Sequence, residues 1–186
     1  MTRKITVLIQ PIGHVDKHSI KQLAEDLNSK LEFFTTTIST YEFPLPKDAY
    51  NPLRKQYYSP IILKKLCTKL LKEPFNRILG VVDVDLYVKG LNFIFGEAQL
   101  KGKCAIISLY RLEPEFYGET ENSNLFHERA LKEAVHELGH TLGLFHCPNK
   151  FCVMHFSNSI WDTDVKSYNY CSKCKVKLMK LISQMT

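Results

Sequence analysis

The segment HELGHTLGLFHC, residues 136–147, constrains this chain more than any other. His136 and His140 are four residues apart. On a helix they lie about 40° apart in azimuth and about 6 Å apart along the axis, so both imidazoles can grip one metal ion. Glu137 is one residue on and about 100° round, poorly placed as a ligand of the same ion. It can instead lean over a water bound to that ion, where a general base must sit. Gly143 can take a positive φ at negligible steric cost, ending the helix and turning the chain back. His146 follows three residues later as a third imidazole. Three neutral imidazoles leave the double charge of zinc uncompensated and one coordination position free, the pattern of a catalytic site and not a closed structural one. His127, nine residues before His136, falls about 180° round the same helix and faces away from the site.

Cys147 follows His146 without a gap and has a partner at Cys152, while Cys171 and Cys174 form a CxxC pair. Two such pairs, with 18 residues between them, are the form of a closed four-thiolate zinc site with a structural role. A redox-active CxxC is the competing reading, but such motifs open a helix after a strand and come without a second pair. His146 and Cys147 have Cα atoms about 3.8 Å apart, and adjacent extended residues point opposite ways. One segment is therefore expected to be clamped by two ions, the structural one fixing the backbone that presents the third catalytic ligand. Cys67 and Cys104 stand alone in apolar surroundings and are expected to be inert buried thiols.

The rest of the chain supplies a scaffold. At 186 residues, 45% hydrophobic and 24% charged, it reads as one globular domain able to bury a core without disulfide staples. No apolar run approaches the roughly 20 residues needed to span a bilayer. MTRKITVLIQPIG reads as a first strand and not as a secretory leader, so a cytoplasmic, monomeric protein is expected. The net charge of +6 is spread along helix faces without arginine–aromatic interleaving, which argues against a nucleic-acid partner. Strands are predicted over 5–12, 34–40, 77–86 and 103–110, and helices over 18–34, 59–71, 125–142 and 176–182. Their order implies a mixed α/β sheet in the first 110 residues.

HELGHTLGLFHC, CVMHFSNS and YCSKC, together with DVDLYVKGLNFIFGEA upstream and the opening ITVLIQPIG, strongly resemble the archaemetzincins, a branch of the metzincin zinc peptidases. The resemblance covers nearly the whole chain and is most specific from Asp83 to Cys174. It implies a metzincin-like zincin fold of the α/β (α+β) class, a twisted mixed sheet with an active-site helix and a cleft between two subdomains. These would be about residues 1–143, and 144–186 with the four-cysteine zinc site. It further implies that His136, His140 and His146 hold the catalytic zinc, that Glu137 is the base, and that Met154 forms the turn beneath the metal. Phe156 stands where several metzincin branches carry a tyrosine, so no oxyanion stabiliser is identified. KCAIISLY is expected, on the same resemblance, to be the edge strand flanking the cleft, where an extended peptide could add by main-chain pairing.

The expected function is zinc-dependent hydrolysis of peptide bonds by a zinc-bound water that Glu137 activates, with a second zinc in a structural role. The alternative is a metal-stabilised peptide-binding or scaffold protein with little or no hydrolysis. Intact Glu137 favours the enzyme, because a purely structural site has no need of a base there.

Overall fold

In the computed structural model, which describes residues 4–184, the first strand already shows how the layers form. The expected domain limits at residues 1 and 186 lie outside the described residues. In β1 (Ile5–Pro11), Ile5, Val7 and Ile9 enter one core and Leu8 enters another. A strand buried on both faces belongs in the middle of a parallel sheet covered by helices on both sides. β1 pairs in parallel with β2 (Phe34–Ile38) and with β5 (Arg77–Val82), and β5 pairs in parallel with β8 (Cys104–Ser108). β7 (Gly96–Ala98) closes the sheet antiparallel to β8, giving the order β2-β1-β5-β8-β7.

One face of this sheet is covered by α1 (Lys17–Lys30) and α3 (Ser123–Thr141), the other by α2 (Ser59–Leu70). Both α1 and α3 begin on side-chain caps. Asp16 accepts from the Ser19 amide at 2.7 Å, and Asn122 accepts from the Leu125 amide at 3.0 Å. Such caps satisfy amides that the first helical turn leaves open. β3 (Tyr50–Asn51), β4 (Gln56–Tyr58) and β6 (Leu86–Tyr87) make a second, small sheet at the rim. The C-terminal part carries two helices, α4 (Ile160–Val165) and α5 (Ser172–Ser183), joined to the rest by irregular chain.

Four expectations need correction. The helix expected over 18–34 ends at Lys30, and Phe34 already opens β2. KCAIISLY is not the edge: β8 lies between β5 and β7, and the three-residue β7 is the outer strand. Cys67 and Cys104 are not separate thiols but a disulfide joining α2 to β8, their Cα atoms 5.8 Å apart. Their 37-residue separation gave no sequence signal of that pairing. The predicted strand 77–86 ends at Val82, and its tail joins the small sheet as β6. Among the described residues no helix is long and apolar enough to cross a membrane.

Candidate metal centre

α3 runs beneath the outer half of the sheet and brings His136 and His140 up from its last turns. The helix stops where Gly143 adopts φ +101°, and the Leu144 amide donates back to the Gly139 carbonyl at 3.0 Å. That reversal carries His146 over the two helical histidines. The ligand nitrogens of all three lie within 4.8 Å of one another. His136 Nε2 and His140 Nε2 are 3.1 Å apart. Two nitrogens on one tetrahedral zinc, each about 2.05 Å from it, would be about 3.3 Å apart, so the donor set fits that ion.

The ring orientations are fixed from behind. His136 Nδ1 lies 2.7 Å from the Val153 carbonyl and His140 Nδ1 lies 2.8 Å from the Leu144 carbonyl. A carbonyl only accepts, so each Nδ1 carries the hydrogen and each Nε2 keeps its lone pair for a metal. Burial depresses the basicity of all three imidazoles, most strongly at His136, and the Lys166 ammonium depresses it further. They are held neutral, as ligands must be.

Glu137 is enclosed between α3 and β7. A Cβ built on Gly96 would meet its Cγ and Oε1 at 2.7 Å, so only glycine at that position leaves room for the carboxylate. Burial, and then the neighbouring Glu133, push the Glu137 carboxyl well up, with Lys166 pulling the other way. Glu133 and Lys166 form a buried ion pair at 2.9 Å, at an angle too poor for a hydrogen bond, and the Thr163 hydroxyl donates to the same Glu133 oxygen at 3.0 Å. Sequence reasoning missed both partners. Glu133 had a signal, since it lies one turn before Glu137, whereas Lys166 reaches the site only through the tertiary fold.

The four clustered cysteines come together as a second donor set, their sulfurs within 4.8 Å of one another. Cys147 Sγ and Cys171 Sγ are 3.8 Å apart. Sulfurs about 2.3 Å from one tetrahedral zinc would be about 3.8 Å apart, so this set fits as well. Between the two sets runs the turn 152–155, closed by the His155 amide on the Cys152 carbonyl at 2.9 Å. It contributes Cys152 to one set, and its Val153 carbonyl holds His136 of the other. The Met154 carbonyl accepts from the Cys147 amide at 2.8 Å. Met154 itself is fully buried beneath α3, where a Cβ on Gly139 would meet its Sδ at 2.5 Å. His127 sits on the far side of α3 against His18, away from the cluster as expected.

Above the histidines opens a cleft of about 570 Å³, lined by His136, Glu137, His140 and His146 and also by Tyr58, Phe93 and Glu97. β7 forms part of its rim. Phe156 packs on His146 with ring centres 4.9 Å apart and offers no polar group.

Comparison with known proteins fits this geometry. Residues 46–180 match the model of peptidase family M54. The archaemetzincin of Methanocaldococcus jannaschii is 47% identical over 178 residues, 96% of this chain and 95% of that protein. The crystal structure of archaemetzincin from Archaeoglobus fulgidus superposes with a TM-score of 0.80 at 40% identity, over 93% of this chain and 99% of that one. A zinc-dependent peptidase from Methanocorpusculum labreanum gives a TM-score of 0.83 at 29% identity, over 92% and 99%. The chain belongs to peptidase family M54, the archaemetzincins, and is a zinc metallopeptidase.

Proposed function

We propose that His136, His140 and His146 hold the catalytic zinc, that Glu137 is the general base, and that Cys147, Cys152, Cys171 and Cys174 hold a second, structural zinc. The observation that carries this reading is the convergence of the three imidazoles, with Nε2 of His136 and His140 left to a metal, beside an enclosed carboxylate on the wall of a cleft. Bound zinc supplies a Lewis acid for the scissile carbonyl and brings the pKa of water from about 15.7 toward 7. Glu137 takes the proton of the attacking water and passes it to the departing amine. Its pKa, raised by burial, is suited to both tasks once a dication lies alongside and favours the ionised form. Gly96 and the walls of α3 hold that carboxylate in place, and the Val153 and Leu144 carbonyls hold the ligand rings.

On this reading the chain is one catalytic domain whose part beyond about residue 144 is stapled by the structural ion. Glu137→Ala should keep its zinc and its fold while losing hydrolysis by about 10²- to 10⁴-fold, the usual share of a general base. Zinc content by elemental analysis and cleavage of a peptide library are the measurements. A variant that cleaved peptides at the parent's rate would remove Glu137 from the mechanism, and one that lost its zinc would make it a ligand.

A further inference from the structure

Glu133 lines the cleft one helical turn before Glu137, and its two oxygens have opposite surroundings. Oε1 is held from behind: the Thr163 hydroxyl donates to it at 3.0 Å, and the buried Lys166 ammonium lies 2.9 Å away. Both partners belong to α4 and the residue that ends it. Oε2 has no partner among the described residues, yet it is not shut off from solvent. Glu133 as a whole is only 3% exposed, so that opening is into the cleft its side chain lines. A carboxylate locked at one oxygen and bare at the other is a fixed hydrogen-bond acceptor. Because Thr163 and Lys166 have already ordered the side chain, a ligand that meets it loses little to rotamer entropy.

Helix geometry says which part of a substrate this acceptor meets. Four residues along α3 set Glu133 about 6 Å from Glu137 at the backbone, on nearly the same azimuth. One peptide unit spans about 3.8 Å, so the acceptor reaches past the reacting amide to a neighbouring side chain. Lys166 then decides which kind of donor fits. It already compensates the charge of Glu133, so a second ammonium would give up its hydration for little return. An uncharged N–H or O–H loses less on leaving water and still gains the open oxygen.

We propose that Glu133 is a specificity-determining residue, whose Oε2 accepts a hydrogen bond from an uncharged donor on a substrate side chain beside the scissile bond, a carboxamide or a hydroxyl. This assignment rests on the reading of the cleft as a peptide site. It sharpens that reading into a preference for polar, uncharged side chains at one position. The buried pair of Lys166 and Thr163 positions the carboxylate and touches no substrate.

The test uses zinc-loaded Glu137→Gln protein, so that bound peptide is not consumed, and short fluorescent alanine peptides with one variable residue moved through each position. That residue is glutamine, the γ-methyl ester of glutamate, or lysine. The ester matches glutamine in length and keeps the carbonyl but has no N–H to donate. At one position the glutamine peptide should bind about tenfold more tightly than both others, the usual worth of one such hydrogen bond. Adding Glu133→Gln should level glutamine with the ester. The new amide keeps its oxygen toward Thr163 and Lys166 and turns its NH₂ to the cleft, where a donor replaces the acceptor. Equal binding at every position, binding of none, tightest binding of the lysine peptide, or a preference that survives Glu133→Gln would overturn the proposal. If the doubly substituted protein does not fold, as circular dichroism would show, the comparison of the three peptides decides alone. Hydrolysis by the parent tests the underlying reading separately. Glu137-dependent cleavage without the glutamine preference keeps the peptidase and sinks the role of Glu133, while a Glu133-dependent preference without cleavage does the reverse.

Discussion

Gly96→Ala places a methyl group where Glu137 already sits. The added carbon would meet Glu137 Cγ and Oε1 at 2.7 Å and the Ile106 carbonyl oxygen at 2.8 Å. Comfortable carbon–carbon contact begins near about 3.5 Å, so roughly 0.8 Å must be found. Ile106 cannot give way, because β8 is locked between β5 and β7. The Glu137 side chain moves instead, or β7 lifts off the sheet edge. Either shift displaces the base by about 1 Å, and misplacements of that size can cost about 10² in rate. Overpacking should also take about 1–3 kcal/mol from stability. The assay is kcat and KM for one peptide, with zinc content and thermal unfolding measured on the same preparations. The fall should be in kcat with zinc retained, since neither helical histidine is touched. A folded, zinc-loaded variant turning over as fast as the parent would refute the argument that β7 positions the base.

Cys171→Ser leaves every histidine in place, yet zinc affinity at the histidine set should drop about 10- to 100-fold, because support for the backbone beside His146 is lost. Chelator competition, with circular dichroism to verify the fold, measures it; unchanged affinity would make the two ions mere neighbours. Burial, then Glu115, Asp83 and Glu121, push the Glu113 carboxyl up to about 7 from an ordinary 4.5. The folded state therefore holds this proton more tightly than the unfolded chain, and stability present below about pH 4.5 is lost as pH rises through about 7. Glu113→Gln should be more stable than the parent by about 1 kcal/mol near pH 8, after discounting for solvent screening, and level with it near pH 4. Equal stability at both pH values would sink that account. Zinc-free, unfolded protein should show four alkylatable thiols, and all six cysteines only after reduction, since Cys67 and Cys104 are joined. Six reactive thiols without reductant would count against that bond.

What could be read from the sequence was whatever is periodic or locally spaced. The helix expected over 125–142 is found at Ser123–Thr141, and the histidine and cysteine sets assemble as their spacing implied. The edge strand was missed because Gly96–Ala98 is three residues long, contains glycine and has no apolar alternation, whereas the β-rich Cys104–Ser108 looks like a strand wherever it is placed. The helix expected over 18–34 overran because Leu31, Phe33 and Phe34 continue the apolar pattern while leaving the helix for β2. Pairings that join distant segments had no local trace. Cys67–Cys104, Glu133–Lys166 and the fork of Arg129 onto Asp164 at 2.7 Å are of this kind.

The turn 152–155, which lends Cys152 to one donor set and the Val153 carbonyl to the other, has a thermodynamic corollary on the proposed two-ion loading. Coupling between two binding equilibria is reciprocal. Whatever factor the thiolate-bound ion adds to affinity at the histidines, the histidine-bound ion must add to affinity at the thiolates. Removing the more accessible ion would then loosen its neighbour, and released thiolates enter the oxidation ladder that metal binding otherwise blocks. Where a peroxide is present to oxidise the freed thiolates, a transient shortage of zinc would in this way turn a reversible loss of activity into covalent damage at Cys147, Cys152, Cys171 and Cys174.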